Sequence, residues 1–130
     1  MRNEHLEAFE TALFSILKEI DCLLEQQYGK TLLRHPARPA HGITANPQYD
    51  GLFAVIANFS AGIGSTYGAG YTLDLRISTL SSIQPEFKEA CEAIMVSHLR
   101  TRLPEVFPDR TLQVAQDKHG WKIYGDLSLD

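Results

Sequence analysis

The chain has 130 residues, 44% hydrophobic and 22% charged, with 12 basic against 16 acidic side chains and a formal net charge of −4. That length fits one domain, taken as residues 1–130, able to bury a core without disulfide staples. The acidic balance argues against broad binding of a phosphate backbone, and no apolar run approaches the roughly 18 to 20 residues of a membrane span.

Glu4, Glu7 and Glu10 precede any apolar run, which fits neither a signal peptide nor a transit peptide. Cys22 and Cys91 are the only cysteines, too far apart for a zinc motif. They read as small buried hydrophobes in a reducing cytosol, so the expected compartment is cytoplasmic. The glycosylation pattern at Asn58-Phe59-Ser60 falls inside a predicted strand of an unsecreted chain and is set aside.

Leu6, Phe9, Leu13, Ile16, Leu17, Ile20, Leu23, Leu24 and Tyr28 recur at spacings of three and four, predicting a long amphipathic helix over 3–28 that Gly29 ends. Its polar face is acidic and reads as solvated. The stripe is longer than a small sheet can cover, so one end is available to a second subunit.

Residues 29–50 hold Pro36, Pro39 and Pro47 with no sustained period, and predict a loop. Positive charge gathers there through Lys30, Arg34 and Arg38, beside His35 and His41. The plain account is an extended connection whose charges answer the acidic helix. The functional one is a clasp for an acidic partner or a small anion.

Residues 52–80 predict a long β-hairpin. Tyr71, Leu73, Leu75, Ile77 and Thr79 alternate with Thr72, Asp74, Arg76 and Ser78, while Phe53, Val55, Ala57 and Phe59 line the same buried face from the first arm. Pro85 opens a second helix over 85–103, closed by Pro104 and Pro108, with His98 on its apolar stripe as a hydrogen-bonded core or interface residue. A second hairpin follows over 111–127, turning at Asp117-Lys118-His119-Gly120.

This order, αββαββ, predicts an α+β two-layer sandwich, a four-stranded antiparallel sheet with both helices on one face. A gap left for the last strand gives the permuted ferredoxin-like order 3-4-2-1; a plain meander is the alternative. Either way one sheet face lacks a helix, and it would carry Leu52, Ala54, Ile56 and Asn58, then Thr72, Asp74 and Arg76, then Lys122, Tyr124 and Asp126. That face needs a cover: the 30–50 loop, a second copy, or a ligand.

Gly62, Gly64, Gly68 and Gly70 join antiparallel strands rather than opening a helix, so they read as turn and bulge glycines and not a dinucleotide fingerprint. Ser65, Thr66 and Tyr67 place hydroxyls on that tip, where a small anion or a protein edge would dock. Gly29-Lys30-Thr31 lacks the glycine cradle of a phosphate loop. His35 and His41 lack metal-ligand spacing, and a triad of Ser65 or Thr66 with His41 and Asp50 has no nucleophile elbow. Asp74 with Arg76, and Lys122 with Asp126, read as surface ion pairs. No catalytic residue, metal or cofactor is expected.

The resulting expectation is a small cytosolic, non-enzymatic binding or adaptor protein that forms a homodimer through the open sheet face or an edge strand. Its candidate binding residues are Arg34, Arg38, His41, Ser65, Thr66, Tyr67, Arg76 and Tyr124. The alternative is a small-ligand-binding protein or enzyme with a pocket between the sheet face and the 30–50 loop, using Arg38, His41, Arg76 and Tyr124. Nucleic-acid binding through Lys30, Arg34, Arg38, Lys118 and Lys122 ranks below both.

Overall fold

Six elements follow one another in a computed structural model that describes residues 4–44, 50–61, 67–118 and 120–127. They are α1 (Glu4–Tyr28), β1 (Phe53–Ser60), β2 (Gly70–Ile77), α2 (Pro85–Val106), β3 (Leu112–Asp117) and β4 (Gly120–Gly125). The strands form one antiparallel sheet in the order β1-β2-β4-β3, which is the permuted ferredoxin-like arrangement and not the meander.

Register follows the expected alternation. Phe53 faces Ile77, Val55 faces Leu75, Ala57 faces Leu73 and Phe59 faces Tyr71, so one set of side chains from each strand reaches the same side. There they meet both helices. Phe9, Leu13, Ile16, Leu17, Ile20 and Leu24 of α1 share one buried cluster with Cys91, Met95, Val96, Leu99 and Leu103 of α2 and with Phe53, Tyr71, Leu75, Val114 and Ile123 of the sheet. Burying these side chains, at about 1.5–3 kcal/mol for a large aliphatic or aromatic one, is the main term holding the layers together.

Several expectations need correction. α2 does not stop before Pro104 but runs through it to Val106. A proline one turn from a helix end sacrifices a single backbone bond, and Phe107 N still donates to the Leu103 carbonyl at 2.8 Å. Leu52 belongs to the helix-side core and not the bare face. Gly51, at φ +64°, turns the chain there, and the amides of Leu52 and Phe53 both donate to Glu25 Oε1, which successive residues of a regular strand cannot do. Cys22 is exposed, whereas Cys91 is buried as expected.

Candidate binding surfaces

β1 lies at the sheet margin. The Leu52 carbonyl accepts from Ser78 N, while Phe53 N turns away to Glu25. Antiparallel pairing alternates, so the even residues of β1 exchange bonds with β2 and the amides and carbonyls of Val55, Ala57 and Phe59 point outward. The strand, FAVIANFS, carries neither charge nor proline, the usual devices that keep an edge from pairing.

The helix-free face is covered in part by its own hairpin. Tyr67 stacks on Tyr124 with ring centroids 4.5 Å apart and donates its hydroxyl to the Gln116 carbonyl at 3.3 Å. Tyr124 in turn donates to Gln113 Oε1 at 3.0 Å. Beneath this cover Lys122 is only 2% exposed and donates to the Gly68 carbonyl, so it is a buried donor and not half of a surface ion pair with Asp126. Gly70 permits the close approach, because a Cβ there would collide with the Ile123 carbonyl oxygen. Farther along the face Asn58, Asp74 and Arg76 are exposed, and Arg76 Nε donates to Asp74 Oδ2 at 2.9 Å. Ser65 and Thr66 lie outside the described residues.

Arg34 and Arg38 of the 29–50 loop spend their guanidinium groups locally. Arg34 donates to the Arg38 carbonyl, and Arg38 donates to the carbonyls of Gly51 at 2.6 Å and Asp50 at 3.1 Å. His35 Nδ1 accepts from Ala37 N at 3.0 Å. His41 is the group that answers the acidic helix among the described contacts, with Nε2 3.0 Å from Asp21 Oδ2 and 4.0 Å from Cys22 Sγ. Burial pushes the Asp21 carboxyl up to about 6 against the pull of His41, and Glu25 and Asp50 add to the rise. Burial also works to raise Asp50, but hydrogen bonds from the Thr44 hydroxyl at 2.8 Å and amide at 2.7 Å hold it below the usual carboxylate range. The Cys22 thiol is pushed up by burial and by Asp21 and Glu25, the opposite of what a nucleophile needs.

An apolar cleft of about 510 Å³ opens at the far end of α1, between that helix and the tip-side ends of β1 and β2. Leu6, Phe9, Phe59, Tyr71 and Leu127 line it, and Glu10 is the charged residue among its described lining. Phe59 is 62% exposed and makes a T-shaped contact with Tyr71 at 5.7 Å, while Phe9 stacks on Tyr71 at 5.8 Å. The Tyr71 hydroxyl donates to Glu10 Oε2 at 2.9 Å. Sequence reasoning missed this site. Phe9, Phe59 and Tyr71 each read as ordinary core positions, and only the spacing of Glu10 next to Phe9 on one end of the helix hinted at a charge beside an apolar wall.

Fold and surfaces define a two-layer α+β protein whose bare sheet face is part-clamped by its own hairpin and whose first strand leaves an open edge. The chain belongs to a family described as an uncharacterised protein, which it matches over residues 4–125. It is similar to an "Uncharacterized protein" of Borreliella burgdorferi (strain ATCC 35210 / DSM 4680 / CIP 102532 / B31), 36% identical over 117 residues that cover 90% of this chain and 91% of the relative. No solved structure matches. Among the described residues no helix is long and apolar enough to cross a membrane, and no group of three His, Cys, Asp or Glu side chains could hold a metal ion.

Proposed function

We propose that the chain is a cytosolic, non-enzymatic binding protein that works as a homodimer joined along β1. The observation that carries this reading is the margin itself: an uncharged strand in which Val55, Ala57 and Phe59 turn their amides and carbonyls outward, with no strand of the described residues beside them. A second copy turned by a two-fold axis supplies the same row of donors and acceptors, and the two sheets become one. The cytosolic setting draws support from both cysteines being free thiols.

The adaptor side of the proposal rests on the loop. Leu80 N donates to the Leu33 carbonyl at 2.8 Å, which sets two leucines that are 65% and 59% exposed next to Arg34. An apolar knob with a basic neighbour suits an acidic, apolar segment of another protein. A small-ligand pocket built from Arg38, His41, Arg76 and Tyr124 has less support, since each of the four is engaged with a different neighbour.

Sedimentation equilibrium tests the dimer. The unaltered protein is expected to be dimeric at micromolar concentration. Ala57→Pro removes an amide that β2 does not use, and Asn58→Lys adds a charge to the margin; both are expected to give folded monomers. A native protein that stays monomeric, or variants that dimerise as well as it does, would defeat the proposal.

A further inference from the structure

We infer that the groove between α2 and the second hairpin is a binding site for a short zwitterionic peptide, two or three residues with a free ammonium and a free carboxylate. The groove has a volume of about 610 Å³, within the range of small-molecule sites. One wall is a face of α2, where Glu89, Glu92, Val96 and Arg100 follow one another at spacings of three and four. Gln116 of β3 and Trp121 of β4, which face each other across the hairpin, form the other. Val96 is buried in the core and Trp121 is half-buried against it, so the apolar part of the groove is held from below.

Charge runs along the helix wall in a definite order. The two carboxylates stand toward the start of α2, and Arg100 comes eight residues after Glu92, about 12 Å along the axis at 1.5 Å per residue. The guanidinium is fixed, since its Nη2 donates to the Val114 carbonyl at 2.9 Å. Its Nε and Nη1 have no partner among the described residues and remain able to donate to a carboxylate. Glu89 and Glu92 likewise make no hydrogen bond or ion pair with a described residue.

A ligand of one sign always meets an opposed group here: a cation is brought against Arg100, an anion against the two glutamates. A neutral one leaves both charges unanswered. A peptide with free ends answers both, and three extended residues span about 10 Å at 3.3–3.6 Å each, which matches the separation along the helix once long side chains bend. Its middle side chain then lies on the indole of Trp121, and the Gln116 amide offers a donor and an acceptor to a peptide group. The groove lies beside β3, the margin opposite β1, so the inference does not rest on the proposed dimer.

Trp121 is the chain's one tryptophan, so the emission of the full chain reports on the groove directly. The probes are Ala-Leu-Ala with free ends, its N-acetyl form, its C-terminal amide and the doubly blocked peptide. The free peptide is expected to shift the emission saturably, each single block to weaken binding by roughly fivefold or more, and the doubly blocked form to bind worst. Glu89→Gln combined with Glu92→Gln is expected to erase the difference between the free and N-acetyl forms, and Arg100→Gln the difference between the free and amide forms. The blocked peptides put the same question to the unaltered protein, whatever the variants do to folding. No saturable shift with the free peptide, equal binding of the free and doubly blocked forms, or a preference for free ends that survives in both variants would overturn the inference. Ala57→Pro, which breaks the β1 margin, is expected to bind the free peptide as the native protein does, so the two proposals fail separately.

Discussion

His41 Nε2 lies 3.0 Å from Asp21 Oδ2, while the other oxygen of that carboxylate is buried with no hydrogen-bond partner. The contact ties the proline-rich loop to the middle of α1, and it does so with a group that resists ionisation. Burial raises the Asp21 carboxyl from 3.8 to about 6, so over that interval the native chain holds a proton the unfolded chain has released.

The sign of the pH effect follows. A raised carboxyl makes its contribution to stability fall as pH climbs from about 4 to about 6, by at most about 3 kcal/mol at 1.36 kcal/mol per unit. Asp21→Asn cannot ionise, so relative to the native protein it should gain stability across that interval and hold the gain above it. Urea melts at several pH values read the difference directly. A difference that stays flat with pH would mean that Asp21 ionises as easily folded as unfolded.

Gly68 and Gly70, two residues apart in the same clamp, should respond in unlike ways. A methyl at Gly70 meets the Ile123 carbonyl oxygen and approaches Lys122 Cε at 3.0 Å, in the short stretch where β2 joins β4. Gly70→Ala should therefore cost about 3 kcal/mol, an overpacking loss because the carbonyl it meets is sheet backbone. Gly68 has φ +76° but open space around it, so Gly68→Ala should cost about 1 kcal/mol of backbone strain alone. Thermal melts of both variants compare the two costs, and equal losses would contradict the register between β2 and β4.

The architecture was legible because each element stated its period without contradiction. Tyr71 through Ile77 alternated, α1 repeated at three and four, and two helices with four one-sided strands leave few ways to bury every stripe. What stayed illegible depended on pieces far apart in sequence. Lys122 alternates onto the bare face as expected, yet nothing local announces that Tyr67 and Gly68 fold back to bury it. In the same way Phe59 read as a core residue by parity, since the register is right and only the sheet margin leaves it 62% exposed. Arg34 and Arg38 looked like a clasp because a sequence shows charge but not the backbone carbonyls that receive it.

Adjacent positions on β2 offer a direct check on which side of the sheet is core. Leu75 is 5% exposed inside the shared cluster, whereas Arg76 is exposed and pairs with Asp74. Leu75→Asp should abolish folding by burying a charge with no partner, and Arg76→Ala should stay within about 0.5 kcal/mol. Circular dichroism and melting separate the two outcomes, and similar behaviour would place the helices on the wrong face.

Glu19 ties the two helices together by polar contacts rather than packing. Its Oε1 lies 2.7 Å from His98 Nε2 and accepts from Arg102 Nε at 3.0 Å, while Arg102 also reaches Glu105 Oε2 at 3.2 Å. Hydrogen bonds from Arg102 and His98 outweigh burial and hold the Glu19 carboxyl below its ordinary 4.5. A depressed carboxyl stabilises the fold above its unfolded value, and that support is lost as pH falls through the folded one. Glu19→Gln should therefore lower the melting temperature at pH 7, and the gap to the native protein should close as the pH drops well below 4.5. A gap that persists undiminished in acid would show that the side chain acts through shape alone, with its charge contributing nothing to the helix pair.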